Sequence, residues 1–179
     1  MDALDAIRSR RNVRQFADRS IPGADLDQIL EAAWRTPSSR NEQRWDFVVC
    51  TDRAQLEDLA LVWSGARHVA TSAATVALIA PETDDLDLMG SIEYDLGQAT
   101  MSMMIAAAAL GVGSAHAAVG DQDHARTVLG FPRGRRCAWL VALGYPADRP
   151  LSPIRRPHRR PFDEVVHRGR WERRDRSTA

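Results

Sequence analysis

The chain of 179 residues contains no lysine, so all 24 of its basic residues are arginine. It has only two cysteines, Cys50 and Cys137, and each lies at the edge of an apolar run. Such cysteines are typical of buried free thiols rather than of a disulfide framework. The N-terminal stretch also lacks the apolar core of a secretory signal peptide. We therefore expect a cytoplasmic protein.

Several common catalytic motifs are absent. The sequence has no G-x-x-x-x-G-K-[ST] phosphate loop and no G-x-S-x-G nucleophile elbow. Its cysteines and five histidines show no metal-ligand spacing. The stretch "GVGSAH" at 111–116 begins like a dinucleotide fingerprint, but His116 replaces the expected glycine or alanine. These absences exclude a standard P-loop and leave no basis for a zinc centre or a serine nucleophile.

Residues 99–119 carry no charge over about the length of a membrane span. The stretch is rich in alanine and contains glycine, serine and His116, which makes it only weakly apolar. We expect no membrane span, because residues this weakly apolar contribute little to insertion. A helix of small residues favours close helix packing or the centre of a dimer interface.

The net charge is zero, but the charge is unevenly distributed. Residues 155–179 hold nine arginines and four acidic residues, whereas residues 1–154 hold fifteen arginines and twenty acidic residues. A basic tail can bind nucleic acid, but no aromatic and basic stacking platform accompanies this one. We therefore expect the tail to pair with the acidic body or a partner subunit, and we expect no nucleic-acid or membrane partner.

Hydrophobic periodicity predicts helices that interleave with strands in an α/β or α+β layered domain. The patterns indicate strands at "WDFVVCT", "ATVALIAP" and "RRCAWLVALGYP", and a long helix from about Ile92 to Leu110. Trp45, Trp63 and Trp139 are expected in the core. We predict a single domain over 1–179, with a C-terminal arm from about 147–179 that wraps a second subunit, because so long a segment has little core of its own.

Arginine is abundant near both termini, and two turns are rich in amides or glycine. The arginine fork binds phosphate bidentately, and amide side chains can donate to and accept from a ring with amide-like edges. These residues suit an anionic organic cofactor that carries the chemistry while the protein orients it.

Five segments then point to one family. They are "RRNVRQF" at 10–16, "PSSRNEQRWDFVV" at 37–49, "DLGQATMSMMIAAAALGVGS" at 95–114, "LVALGYP" at 140–146 and "RRPFDEVVHRGRW" at 159–171. In this order and over nearly the whole length, the chain resembles the FMN-dependent nitroreductase family.

The resemblance implies a three-layer α/β/α sandwich with a mostly antiparallel central sheet. It also implies an intertwined homodimer with exchanged C-terminal arms and two FMN sites at the interface, each built from both chains. NADH or NADPH would reduce FMN at N5, and the flavin would then reduce a nitroaromatic or quinone-like small molecule by a two-step ping-pong mechanism. The alternative is a flavin-binding, sensing or storage protein without efficient turnover. FAD in place of FMN, and a deazaflavin in place of NAD(P)H as the electron donor, both stay open at this point.

The resemblance also implies which residues bind the cofactor. Arg10, Arg11 and Asn12 would lie around the phosphate and ribityl chain, and Arg14 would stabilise the reduced flavin, with no further catalytic side chain required. The remaining predicted contacts are Ser38, Asn41 and Gln43 from the partner, Gly113, Ser114 and His116 beside the ring, and Arg159 or Arg160 at the phosphate. Arg44 stands where the family usually has proline, and its added cation suggests an anionic substrate or the phosphates of a nicotinamide.

The arm arginines can be tested separately from the rest of the site. Arg159→Ala should mainly weaken FMN binding, because the guanidinium would lose a charge-assisted contact to phosphate. The measurement is the dissociation constant for FMN from flavin fluorescence. An unchanged constant would assign the phosphate contact to Arg160 or Arg156.

Overall fold

A computed structural model describes residues 1–171 of the chain. Six helices and four strands follow one another. The helices are α1 (Ala3–Ser9), α2 (Gly23–Trp34), α3 (Arg53–Leu59), α4 (Leu86–Ala109), α5 (Gln122–Leu129) and α6 (Phe162–Val165). The strands are β1 (Asp46–Cys50), β2 (Ala74–Pro81), β3 (Gly113–Ala118) and β4 (Arg135–Gly144). Three short 3-10 segments, Ser39–Asn41, Ala60–Val62 and Ser64–Thr71, complete the fold.

The four strands form one antiparallel sheet in the order β1-β2-β4-β3. Successive residues of β2 point to opposite faces of the sheet. Val76 and Leu78 pack with α2 and α4, whereas Ala77 and Ile79 pack with α3 and α5. Both faces are covered by helices, which confirms the predicted three-layer α+β architecture.

Aspartate side chains begin four of the helices. Asp2, Asp52, Asp85 and Asp121 each accept a hydrogen bond from a backbone N–H in the first turn of α1, α3, α4 and α5. This capping satisfies donors that have no partner within the helix. It also explains why the predicted start of this long helix is wrong. With Asp85 as its cap, α4 begins at Leu86, six residues before the predicted Ile92. The connection from β2 to α4 is therefore only 82–85.

The predicted burial of the tryptophans is only partly confirmed. Trp45 is buried and Trp139 is half-buried on the α4 face of the sheet. Trp63, in contrast, is 44% exposed. An ideal Cβ on Gly65 would lie 2.2 Å from the Trp63 ring, so this indole packs over the glycine backbone instead of entering the core.

The N-terminal segment, residues 10–16, lies along the free edge of β3. The Val13 N–H donates to the Ser114 carbonyl at 2.9 Å, and Phe16 forms a bridge with Pro146 at the end of β4. Val13 is 1% exposed and Phe16 is 9% exposed. Val13 is buried, and its neighbours Asn12 and Arg14 are exposed on the other side of the extended segment.

Two glycines make room for this packing. Gly113 and Gly144 face each other across β3 and β4. A Cβ on Gly113 would lie 2.7 Å from Val13 Cγ2, and a Cβ on Gly144 would lie 2.7 Å from Phe16 Cδ1. The segment can therefore approach the sheet only because these positions carry no side chain.

No helix within residues 1–171 is long and apolar enough to cross a membrane. Residues 172–179 of the predicted arm lie outside the described part of the chain. From 147 to 171 the arm is mostly exposed, including Phe162 and Trp171, which are 70% and 75% exposed in the single chain.

Gly113→Ala should destabilise the protein by about 1–3 kcal/mol, because the new methyl group overpacks against Val13. Chemical denaturation measures the free energy of unfolding. Adding Val13→Ala should restore part of the loss if the clash is local. Gly90→Ala, in α4 with nothing near its Cβ position, is the matched control and should be neutral or stabilising. Additive losses from Gly113→Ala and Val13→Ala would contradict the clash.

Candidate functional site

A cavity of about 500 Å³ opens where the N-terminal segment meets the 3-10 segment Ser64–Thr71. We call it the arginine cavity. Its lining residues are Arg14, Gln15, Phe16, Gly65, Arg67, His68 and Thr71. No carboxylate lines it.

Both guanidinium groups of the arginine cavity lack a counter-ion. Among the described residues, neither Arg14 nor Arg67 forms an ion pair or a hydrogen bond, although seven other arginines of this part of the chain do form ion pairs. Two unpaired cations in one concave site attract an anion or a group that becomes anionic. Arg67 was not predicted from the sequence, since it lies in a stretch with no recognisable motif.

A second cavity of about 330 Å³, here the helix cavity, lies between α4 and the outer strand β3. Arg10, Asn12 and His116 line one side of it, and Met101 and Met104 of α4 line the other. The Arg10 Nη1 donates to Asn12 Oδ1 at 3.3 Å. Three of the predicted site residues therefore meet in this cavity.

The N-terminal segment connects the two cavities. Arg10 and Asn12 face the helix cavity and Arg14 faces the arginine cavity. Extended backbone rises about 3.3 Å per residue, so Arg10 and Arg14 are at most about 13 Å apart along the segment. A row of cations at this spacing can hold an elongated ligand with an anionic group at one end and an electron-accepting ring at the other.

The orientation of His116 is set by a series of contacts. Its ring meets Trp139 edge-on, with centroids 5.8 Å apart and planes at 77°. The Trp139 Nε1–H donates to Glu93 at 2.9 Å, and Arg136 pairs with the other oxygen of Glu93. These contacts place an exposed imidazole beside Arg10 and Asn12. Glu93 was not predicted as a site residue, although it lies within the predicted long helix.

The other predicted residues of β3 are buried. Gly113 packs against Val13, and the Ser114 carbonyl accepts the hydrogen bond from the Val13 N–H. The Ser114 hydroxyl is buried and has no hydrogen-bond partner within residues 1–171. Gly113 and Ser114 therefore hold the N-terminal segment that carries the arginines.

The predicted amide turn is a strained, exposed loop anchored at one point. Arg40, Asn41 and Gln43 have φ angles of 54°, 57° and 47°, which are uncommon for residues with a side chain. The buried Asp95 carboxylate of α4 accepts from the Ser39 N–H at 3.0 Å and from the Ser39 hydroxyl at 3.2 Å. Strain of this kind is typical of functional loops.

Ser38, Asn41 and Gln43 belong to this loop, and none of them lines either cavity of their own chain. Ser38 Oγ accepts from the Gln43 N–H at 3.0 Å, and the Gln43 amide donates to the Asn41 carbonyl at 3.1 Å. Arg44 pairs with Glu42. Asn41 and Gln43 are exposed, which is compatible with the prediction that they serve a partner subunit.

Arg11 lies apart from the other arginines of the N-terminal segment. Its guanidinium pairs with Asp148 at 2.6 Å and donates to the Arg149 carbonyl at 3.0 Å. The hydrogen bond from Arg11 lowers the pKa of the Asp148 carboxyl. Arg11 therefore ties the start of the arm to the N-terminal segment, and a phosphate contact would have to compete with this ion pair.

The arm arginines are not brought to Arg10 within one chain. Arg159 and Arg160 are exposed, and the recorded bond of Arg159 is to the neighbouring His158 carbonyl at 2.8 Å. The phosphate contact predicted for one of them stays a prediction.

Comparison with known proteins identifies the class. The model of the Nitroreductase family matches residues 7–71. A protein of Methanothermobacter thermautotrophicus, named as an NADH dehydrogenase/NAD(P)H nitroreductase, is 32% identical over 155 residues, covering 84% of this chain and 80% of the relative. The chain therefore belongs to the Nitroreductase family.

Solved structures agree on the fold. An FMN-dependent nitroreductase from Clostridium difficile superposes with a TM-score of 0.81 at 22% identity and covers 94% of this chain and 99% of its own. The NADPH:FMN oxidoreductase of Vibrio harveyi, in complex with NAD⁺, superposes with a TM-score of 0.83 at 20% identity over 97% of this chain and 79% of its own.

The two unpaired arginines allow a test that needs no assumption about the reaction. Arg67→Gln should not lower the Tm of the ligand-free protein, because it removes repulsion between like charges without breaking an ion pair. It should reduce the rise in Tm produced by an added anionic ligand such as FMN. Thermal unfolding with and without the ligand measures both effects.

Arg133→Gln, which changes an exposed arginine outside the arginine cavity, is the control for the loss of one charge. A clear loss of ligand-free stability in Arg67→Gln alone would contradict the unpaired state of this guanidinium.

Proposed function

We propose that the protein is an FMN-dependent oxidoreductase that takes hydride from NADH or NADPH and passes it to an electron-poor acceptor such as a nitroaromatic or a quinone. The observation that carries this proposal is the arginine cavity, where two guanidinium groups without counter-ions face a space without carboxylates. The names of the relatives, which include NAD(P)H nitroreductases and an FMN-dependent nitroreductase, support the same class of reaction.

The described residues fit a flavin mononucleotide. Arg10 and Asn12 provide donors for the phosphate and ribityl chain, since a guanidinium binds phosphate through two parallel hydrogen bonds. Arg14 and Arg67 face the other end of the row. FMN, when bound, supplies the hydride acceptor and donor at N5 and gains negative charge at N1 and O2 on reduction. Arg14 and Arg67 would stabilise that charge by fixed, preorganised electrostatics.

The homodimer belongs to this proposal. The loop with Asn41 and Gln43 would reach the flavin of the partner subunit, and Asp95 would hold it in place. Exposed apolar residues on adjacent helices, Leu4 and Ile7 of α1 and Met101 of α4, offer a surface that a second copy would bury. Arg159 or Arg160 would arrive on the partner's arm.

One observation favours a second candidate function, that of a flavin-binding or sensing protein without efficient turnover. The connection 82–85 between β2 and α4 is too short to form a flap over a bound ligand. Steady-state oxidation of NADPH and NADH with a quinone acceptor separates the candidates. Turnover well above that of free FMN supports the enzyme, whereas flavin retention without turnover supports the binding protein.

Arg14→Ala should slow reduction of the bound flavin by NAD(P)H by about 10²-fold, while weakening FMN binding by a smaller factor. The reason is that the Arg14 charge matters most once the flavin is anionic. Anaerobic stopped-flow absorbance gives the reduction rate, and fluorescence titration gives the dissociation constant. Arg133→Ala serves as the control. Equal factors for rate and binding in Arg14→Ala would contradict this role.

A further inference from the structure

His68 is a buried imidazole that borders the arginine cavity but has no role in the account so far. It lies in the 3-10 segment Ser64–Thr71 next to Arg67, and it is 7% exposed. Its ring is near the backbone carbonyls of Gly65, in the same segment, and Ala115, in β3. The imidazole therefore connects the segment that carries Arg67 to the strand that carries His116.

The charged groups around His68 are cationic or neutral. Arg14 of the N-terminal segment and His116 of β3 both oppose its protonation, and Arg67 is its neighbour in the chain. On the α3 side, Arg53 donates to the Ala70 carbonyl of the same 3-10 segment. Within residues 1–171, no carboxylate is among the groups that shift the pKa of His68.

The pKa of His68 lies below its usual 6.5, first because the ring is buried and second because Arg14 is positively charged. The backbone carbonyls of Ala115 and Gly65 favour the protonated ring and offset this lowering only in part. His68 is therefore neutral at pH 7 in the ligand-free protein. A negative charge placed in the arginine cavity would offset the repulsion from Arg14 and make the imidazolium more favourable.

This inference rests on the proposed function, because the negative charge is that of reduced FMN. We propose that His68 takes up one proton from solvent when FMN in the arginine cavity is reduced, and releases it when the flavin is reoxidised. The proton binds a ring nitrogen of the imidazole, so the only bond formed is N–H and the product is an imidazolium.

The count of electrons and protons starts from the hydride donor. NAD(P)H delivers two electrons and one proton as hydride, and His68 binds a second proton, so the site stores two electrons and two protons. A quinone requires the same total to become a hydroquinone. On reoxidation, hydride passes to the acceptor, His68 gives its proton to solvent, and solvent supplies the second proton that the acceptor needs. The stored proton acts through the charge of the cavity, so His68 is a positioning residue and not a catalytic one.

The decisive readout is the number of protons taken up for each two electrons. The experiment uses the holoprotein with FMN bound, and it measures the pH dependence of the midpoint potential from pH 5 to pH 8. In the wild-type protein, the uptake should exceed that of His68→Gln by up to one proton over part of the range below pH 7. The variant retains the proton uptake of the flavin itself. The difference in uptake between the wild type and the variant is therefore the contribution of His68.

His124→Gln is the matched control, since His124 is a half-buried histidine of α5, outside the arginine cavity, whose ring bonds to the Asp58 carbonyl. It should behave as the wild type. Equal proton uptake in the wild type and in His68→Gln would overturn the proposal, and so would an equal loss in both histidine variants.

A second measurement does not depend on the folding of a variant. NMR titration of ¹⁵N-histidine-labelled wild-type holoprotein gives the pKa of His68 with oxidised and with reduced FMN. We expect the pKa to rise by about one unit or more on reduction, equivalent to a factor of about ten in proton affinity. The same pKa in both states would overturn the proposal. A protein that binds no FMN would contradict the proposed function instead, and bound FMN with an unchanged His68 would contradict only this inference.

Discussion

The site depends on the packing of Val13 and Phe16 against two glycines that face each other across β3 and β4. Where Gly113 and Gly144 leave the sheet without side chains, the N-terminal segment can lie on its edge and pair with Ser114. Next to the buried Val13, the extended backbone leaves Asn12 and Arg14 exposed. The absence of side chains at Gly113 and Gly144 thereby sets where the segment that carries the arginines lies on the sheet.

The second constraint is the excess of positive charge in the arginine cavity, which has two guanidinium groups and no carboxylate. Most arginines with a recorded partner are paired with carboxylates, but Arg14 and Arg67 are not, and the cavity between them has no acid. Two guanidinium groups without a carboxylate in one concave site favour the binding of an anion. Burial and the charge of Arg14 both lower the pKa of His68, so the proposals on anion binding, flavin reduction and proton uptake all rest on the charge of this one cavity.

Hydrophobic periodicity was sufficient to predict three strands and a layered domain of helices and strands, whereas the three-layer sandwich was implied by the resemblance to the family. It placed the start of α4 too late, since acidic residues at a helix N-terminus resemble a polar loop until the capping geometry of Asp85 is known. Arg10, Asn12 and Arg14 could be predicted because they fall in one motif. Arg67 and His68 could not, because their proximity to Arg14 arises only from the tertiary fold.

The most direct test of the account is the visible absorption spectrum of the purified protein after incubation with FMN and removal of free ligand, with the released chromophore identified by mass. The account predicts flavin absorption bands, the mass of FMN and one flavin for each chain, with weaker retention of the flavin when Arg14 and Arg67 are both replaced by glutamine. A colourless wild-type protein, or retention of flavin unaffected by the double replacement, would contradict the claim that the arginine cavity is the cofactor site.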